Sequence, residues 1–352
     1  MSMASISEEK LGILSEITVI IFSRNRQSDL IRSIRYWSDL NIKCLILDNS
    51  PNEIKDIPAR LFVSYLHCPN LNFSQRALIA GEFIKTKFSI ICSDDERFIP
   101  TALEAMITEL NNNLDIVSVG GHAIAVGTYG PHVYGTLAYS HMLHYGNLDY
   151  GVKDRMEKHF DINKSAWPIG AMYRIIRTES MKKLLNMFYQ CQGISTPYIF
   201  EVTSEIVVTA LGRAKYLDLI FWVRNWQTPA INQADWDRRL QFTQWWEDEK
   251  YVDEKNKWVG IIRQEIFPNQ DSTQIKIVFN SIFKLRKKTE KLHVSTSSLS
   301  IKNHYIKYYL RRFLAPKSLP KKFDKTLGDI SKLGITSDIY EVDLAIASML
   351  KK

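Results

Sequence analysis

The sequence predicts an α/β protein built on a mostly parallel sheet with helices on both faces. Short apolar runs rich in β-branched residues alternate with segments whose apolar residues recur at helical spacing. The runs are apolar throughout, as is typical of strands covered on both faces. Polar residues follow several runs directly, as expected where the carboxyl ends of parallel strands line a crevice.

The first half of the chain carries this alternation in four predicted strands, at 17–22, 43–48, 61–66 and 88–92. Three helices are predicted between and after these strands. The first is indicated by an apolar stripe that includes Leu30, Ile34 and Trp37. The other two are predicted at 74–85 and at 100–111, where Pro100 suits the first turn. The second half is predicted to contain short strands and loops over 115–175, helices at 178–189 and 201–211, and a strand at 216–223.

The basic excess is confined to the C-terminal part of the 352 residues, because 281–352 holds 16 Lys and Arg against 6 Asp and Glu. We predict an N-terminal tail at 1–16, the α/β domain at 17–270, and a basic, mainly helical extension at 271–352. Basic and apolar residues interleave at helical spacing over 302–317. That pattern predicts either contact with an anionic membrane surface or an ordinary amphipathic helix packed on the domain.

The first apolar run has six residues, whereas a membrane-spanning helix needs about 20. We therefore predict a cytoplasmic protein, which would contact the inner face of the membrane if 302–317 takes the first of these two roles. Cys44, Cys68, Cys92 and Cys191 show no C-x-x-C spacing, so we predict reduced thiols in or near the core.

Three adjacent acids, Asp94, Asp95 and Glu96, follow the strand at 88–92. Their mutual repulsion predicts a cation nearby, and carboxylate oxygens suit Mg²⁺ or Mn²⁺. Such an ion would neutralise a diphosphate leaving group. The alternative is a solvated acidic turn that caps the following helix.

The order of these motifs resembles the nucleotide-binding half of GT-A-fold glycosyltransferases. It runs from Arg24-Asn25-Arg26 after the first strand, through Asp48-Asn-Ser after the second, to Asp94-Asp95-Glu96 with Pro100. It is similar to the large inverting family that includes polysaccharide-forming enzymes, over about residues 17–225. The resemblance implies that Asp94 and Glu96 are the two acids of the D-x-D metal motif, although Glu stands where Asp is usual.

The same resemblance implies a nucleotide-sugar site around the strand ends. Asp48 would contact the base or ribose, and its alternative role is an Asx-turn closing the strand. Arg24 and Arg76 would pair with diphosphate oxygens, or else be solvated arginines. Asn25 and Asp95 complete the predicted cofactor-binding set.

An inverting transfer needs a general base for the acceptor hydroxyl. The family places an acid near a helix start, about eleven residues before a Gly, which implies Glu201, with Glu205 as second choice. The alternative for either is a surface or salt-bridge acid. The Trp167–Gly170 loop resembles the family's acceptor side, whereas the tryptophans Trp222, Trp226, Trp236, Trp245 and Trp246 are better explained by packing.

We therefore predict a metal-dependent, inverting glycosyltransferase that uses a nucleotide sugar, UDP-sugar first, and a glycan or lipid-linked glycan acceptor. Two other classes remain. A sugar-phosphate nucleotidyltransferase would carry glycine in the loop after the first strand, where this chain has Ser23-Arg-Asn-Arg26. A non-catalytic scaffold of the same fold would have lost the acids. No nucleic-acid motif accompanies the basic tail, so no nucleic-acid partner is predicted.

Overall fold

The computed structural model describes residues 12–55, 57, 62–129, 132–138, 146–161, 163, 170–225, 239–268, 278–288 and 338–350. The strands are β1 Ile17–Ser23, β2 Lys43–Asp48, β3 Val63–His67, β4 Phe88–Cys92, β5 Glu96–Phe98, β6 Ile116–Tyr129, β7 His132–Ala138, β8 Ile175–Arg177 and β9 Arg213–Asn225. The helices are α1 Gln27–Asp39, α2 Phe73–Phe83, α3 Pro100–Asn112, α4 Val152–His159, α5 Thr178–Gln190, α6 Ile199–Leu211, α7 Phe242–Glu247, α8 Val252–Ile266, α9 at 278–288 and α10 Ile339–Leu350.

The strands of the described residues form one sheet in the order β3-β2-β1-β4-β8-β6-β9-β5, with β7 paired to β6. Strands β3, β2, β1 and β4 are all parallel. Strand β8 joins β4 to β6 through antiparallel pairs, and β9 runs parallel to β6. The chain leaves β1 toward β2 on one side and returns to β4 on the other, so the strand order reverses between β1 and β4.

Alternate residues of β1 contribute to two separate cores. Val19 and Ile21 lie in a core with side chains of α1, α3 and α10. Ile20 lies in a second core with side chains of α2, α5 and α6. Because successive side chains of a strand point to opposite faces, the helices cover both faces of the sheet. The predicted α/β class is confirmed.

Strand β6 is a single strand of 14 residues, where the sequence predicted short strands and loops. Gly120 and Gly121 lie inside it, and glycine inside a strand ordinarily argues for an interruption. The packing explains Gly121, because a Cβ there would lie 2.8 Å from the carbonyl oxygen of Leu219. The glycine thus permits close approach of β9, and the irregularity takes the form of register shifts rather than a break.

Both described helices of the predicted C-terminal extension pack on the sheet domain. Val342 and Ile346 of α10 are buried in the core that contains α1. Ile282 and Leu285 of α9 are buried in the core that contains α6. The predicted amphipathic segment at 302–317 lies outside the described residues.

All four cysteines are free and buried, as predicted. Burial raises the pKa of the Cys191 thiol to about 11. Among the residues that the structure describes, no helix is both long and apolar enough to span a bilayer.

Candidate active site at the carboxyl ends of the parallel strands

The loops that follow β1 and β4 meet where the strand order reverses. In an open α/β sheet this position is where ligands bind, because the two loops diverge and leave a crevice. Ser23, the last residue of β1, donates its hydroxyl to Oδ2 of Asp94 at 2.7 Å. The predicted acidic triplet therefore lies beside the predicted Arg24-Asn25-Arg26 loop.

Arg26 is the cation nearest the acids Asp94 and Asp95. Its Nη1 lies 2.9 Å from Oδ1 of Asp94 and its Nη2 lies 2.6 Å from Oδ2 of Asp95. Burial lowers the pKa of Arg26, but the two carboxylates outweigh it and the pKa is raised. Repulsion among the acids predicts a cation; that the cation is Arg26 depends on the β1–β4 pairing, which brings two distant loops together.

Asp94 is almost completely buried, at 2% exposure. Burial raises its pKa to about 6, and Arg26 and the Ser23 hydroxyl act in the opposite direction. Burial of the Asp94 carboxylate thus outweighs the effect of its two partners on the pKa. Arg26 bridges Asp94 and Asp95, so both acids share one cation.

Glu96 faces a different partner. It begins β5, which pairs with β9 and places Glu96 opposite Arg224. Nε of Arg224 donates to Oε1 at 2.8 Å, and the indole of Trp222 donates to Oε2 at 3.0 Å. Burial raises the pKa of Glu96, with Arg224 opposing. The carboxylate of Glu96 is therefore held by β9.

In this arrangement the carboxylates of Asp94, Asp95 and Glu96 do not form the metal site that the sequence predicted. Within the described ranges, no group of three or more His, Cys, Asp or Glu side chains is arranged to hold a metal ion. Arg26 forms ion pairs with both Asp94 and Asp95, and Glu96 accepts hydrogen bonds from two donors on β9. A divalent ion bound by these acids would have to displace at least one arginine. The metal itself stays a prediction.

Asp48 ends β2 and is fully buried. Its Oδ1 accepts from the backbone N–H of Ser50 at 2.9 Å and from the Ser50 hydroxyl at 2.6 Å. Its Oδ2 accepts from the Tyr65 hydroxyl at 2.9 Å. The first bond is that of an Asx-turn, and both carboxylate oxygens have donors. A nucleoside contact by Asp48 stays a prediction, and the sequence had not singled out Tyr65.

Asn25 connects the loops that follow β1 and β2. Its backbone N–H donates to the Ser50 hydroxyl at 2.8 Å. Its φ of 58° lies in the left-handed region, which Asn tolerates better than most residues. The side chains of Asn25 and Arg24 are exposed beside this bond, and both stay candidates for contact with a bound nucleotide.

Arg76 lies beneath the crevice and joins two strands. Its Nη1 donates to the carbonyl oxygens of Ser23 and Leu47, at 3.0 and 2.7 Å. Burial lowers its pKa. Arg76 therefore fixes the ends of β1 and β2 relative to each other, and its predicted contact with diphosphate is untested.

Glu201 lies in the first turn of α6, and its carboxylate is 26% exposed. Oε1 accepts from Nη1 of Arg286, on α9, at 2.6 Å. The charges of both Glu96 and Glu201 act on Tyr173. Burial and the charge of Glu96 raise the pKa of Tyr173, and Glu201 contributes in the same direction. The role of Glu201 as a general base stays a prediction.

Glu205, one turn farther along α6, is 2% exposed and has three donors. Oε1 accepts from the backbone N–H groups of Gly170 and Ala171, at 2.9 and 3.0 Å. Oε2 lies 2.8 Å from Nε2 of His159. Glu205 thus joins α4, α6 and the turn at Gly170. Although the two acids share a helix, they have separate surroundings, and no proton-transfer role is tested for either.

The aromatic side chains divide between the sheet and the C-terminal helices. Trp222 stacks on Tyr173 with ring centroids 4.3 Å apart. Trp245 and Trp246 pack with Phe242, Trp258 and Phe279. This packing role is the one the sequence favoured for them. Trp167, Trp226 and Trp236 lie outside the described residues.

Comparison with known proteins gives fold likenesses of low score. No protein-family model matches the sequence, and no curated protein matches it. Among solved structures, the chain is similar to S. aureus TarS 1-349 at a TM-score of 0.40 and 12% identity, over 80% of this chain and 92% of that one. For the same TarS segment in complex with UDP-GlcNAc the TM-score is 0.43 and the identity 9%, over the same shares.

A further likeness is to the bifunctional IspDF from Campylobacter jejuni, at a TM-score of 0.31 and 10% identity, over 58% of this chain and 49% of that one. Likenesses at these scores assign neither a ligand nor an activity to this chain.

Proposed function

We propose that the protein is a glycosyltransferase that takes its sugar from a nucleotide-sugar donor, with a UDP-sugar as the first candidate. The observation that carries the proposal is the contact of the β1 and β4 loops at the reversal of strand order. This contact brings Arg26, Asp94 and Asp95 together at the carboxyl ends of parallel strands. An anionic ligand that approaches this crevice meets a loop with exposed Arg24 and Asn25.

The donor's nucleoside would bind near the Asn25–Ser50 contact, which leaves Asp48 as the buried support of that turn. Its diphosphate would then extend toward Arg24 and the β4 loop, because guanidinium groups match phosphate oxygens in charge and geometry. The acceptor would enter from the side of Glu201.

In the proposed reaction, the acceptor's hydroxyl oxygen attacks the anomeric carbon of the sugar. The new carbon–oxygen bond forms as the bond from that carbon to the diphosphate oxygen breaks, and its electron pair leaves with the nucleoside diphosphate. The hydroxyl proton passes to Glu201, whose Oε1 is held by Arg286. A single displacement of this kind inverts the anomeric configuration.

The first test is thermal unfolding of the full chain with UDP, GDP, CDP and ADP, each with EDTA or Mn²⁺. A nucleotide present at about 100 times its Kd should stabilise the folded state by about 2.7 kcal/mol. The variant Arg24→Gln should lose much of this protection. The matched control is Arg35→Gln, an exposed arginine on α1. Absence of protection by every nucleotide in both conditions would overturn the proposal.

The second test is release of nucleoside diphosphate from UDP-sugars in the presence of candidate acceptors. Glu201→Gln should reduce turnover while nucleotide protection stays at the wild-type level, since Glu201 acts on the acceptor. Equal turnover in this variant and the wild type would remove Glu201 from the mechanism.

A further inference from the structure

Three arginines lie around the acidic loop, which is defined here as Asp94, Asp95 and Glu96. Arg26 lies on Asp94 and Asp95, and Arg224 lies on Glu96. The third arginine, Arg97, follows Glu96 in β5 and is fully buried. Two guanidinium groups thus pair with the three carboxylates, and a third lies close to them.

The hydrogen-bond partners of the Arg97 guanidinium are neutral groups. Its Nη1 donates to the carbonyl oxygens of Asp94 and Glu96, at 3.1 and 2.6 Å. Its Nε donates to the hydroxyl of Ser348, on α10, at 3.1 Å. Burial lowers the pKa of Arg97. No ion-pair partner for Arg97 is found in the described part of the chain, so its charge offsets the loop from below.

We infer that arginines of this chain balance the acidic loop, and that Arg26 takes the position a divalent cation would otherwise hold between Asp94 and Asp95. Arg26 is held in that position from several sides. Asp29, in the first turn of α1, lies 3.7 Å from its Nε, and the Ser23 hydroxyl donates to Asp94. Each of the three acids thus has a guanidinium partner from this chain.

The inference deepens the proposed function and rests on it for the identity of the anionic ligand. A donor diphosphate would be recognised by guanidinium groups at this loop, and binding would not require Mg²⁺ or Mn²⁺. This differs from the metal-dependent site that the sequence resemblance implied. The difference arises from Arg26, which belongs to the Arg24-Asn25-Arg26 motif but had no predicted role in it.

The direct test is titration of the full chain with Mn²⁺ alone, followed by electron paramagnetic resonance of the free ion and by thermal unfolding. The wild type should show no saturable binding at millimolar Mn²⁺. Arg26→Gln leaves Asp94 and Asp95 without their cation, so it should gain Mn²⁺ affinity by about tenfold or more. Arg26→Lys keeps the charge and should behave as wild type.

Two matched variants separate this effect from a general change in charge. Arg35→Gln removes an exposed arginine of α1, the helix that follows Arg26, and should bind no Mn²⁺. Arg26→Gln combined with Asp95→Asn should lose the Mn²⁺ affinity that the single variant gains. Saturable Mn²⁺ binding by the wild type, or an Arg26→Gln protein that binds none, would overturn the inference.

Nucleotide protection of the wild-type chain provides a second measurement that does not depend on the folding of any variant. Protection by a nucleoside diphosphate in EDTA, equal to that in Mn²⁺, supports an arginine-balanced loop. Protection only in Mn²⁺ overturns it while leaving the proposed function standing. If no nucleotide protects in either condition, the proposed function fails, and the Mn²⁺ titration alone decides whether Arg26 holds the cation position.

Discussion

Nη1 of Arg286 lies 2.6 Å from Oε1 of Glu201, and this contact joins α9 to the first turn of α6. The arginine side chain is 7% exposed and also lies over the ring of Tyr198, 5.0 Å from its centroid. A residue from the predicted basic extension thus orients the acid that we propose as the base. At least one basic residue of the C-terminal part thus forms an ion pair within the protein.

Replacement of Arg286 by Gln should destabilise the protein by about 1–2 kcal/mol, because Glu201 loses a charged donor at a partly buried position. A double-mutant cycle with Glu201→Gln, measured by urea unfolding, should give a coupling energy of about 0.5–3 kcal/mol. Lys287→Gln, at the adjacent and more exposed position, serves as the control. Additive effects of the two substitutions would contradict a direct Arg286–Glu201 interaction.

Glu205 should act as a structural acid. Glu205→Ala leaves the backbone donors of Gly170 and Ala171 and the ring of His159 without their acceptor, so we expect a loss of about 3 kcal/mol or more in urea unfolding. The exposed Glu179→Gln on α5 should change stability by less than about 0.5 kcal/mol. A Glu205→Gln protein with the wild-type unfolding midpoint but no transfer activity would instead point to a chemical role.

Tyr65 should contribute to the loss of folding stability at alkaline pH. Burial raises its pKa from 10.0 to about 12, and its bond to Asp48 acts in the same direction. When the pH exceeds the ordinary pKa of tyrosine, Tyr65 loses its phenol proton in the unfolded chain but keeps it in the folded chain. The free energy of unfolding therefore falls as pH rises from about 10 to about 12, through this group.

Tyr65→Phe should lack that alkaline component of the pH dependence. It should already be less stable at neutral pH, by about 1–3 kcal/mol, because one oxygen of the buried Asp48 carboxylate loses its donor. Urea midpoints measured across pH for wild type, Tyr65→Phe and the exposed control Tyr340→Phe would check both effects. Parallel pH curves for the wild type and Tyr65→Phe would contradict the assignment.

Helix α10 should contribute substantially to folding. Ile346 is 5% exposed in the core with α1, whereas Leu344 on the same helix is 46% exposed. Ile346→Ala should cost about 2–4 kcal/mol, since it removes buried methyl groups and leaves a cavity. Leu344→Ala should cost far less. Equal, small losses in both variants would show that α10 is not docked on the sheet in solution.

The local pattern of apolar residues was sufficient to predict most of the elements. The runs that became β1, β2 and β4 are short and apolar, and the stripe of Leu30, Ile34 and Trp37 has helical spacing, so neighbours in the chain specify them. Strand β6 was missed because Gly120 and Gly121 weaken a strand locally. Its length depends on pairing with β7 and β9, which are distant in sequence.

The sequence by itself determined the α/β class, the positions of most strands and helices, and the polar residues at the strand ends. Only the tertiary structure decided which of those residues have partners. Asp94 is 68 residues from Arg26, Glu96 is 128 from Arg224, and Glu201 is 85 from Arg286. The sign of a charge can be read from the sequence, but its neutralisation depends on distances of a few ångströms, which sheet order and helix packing set.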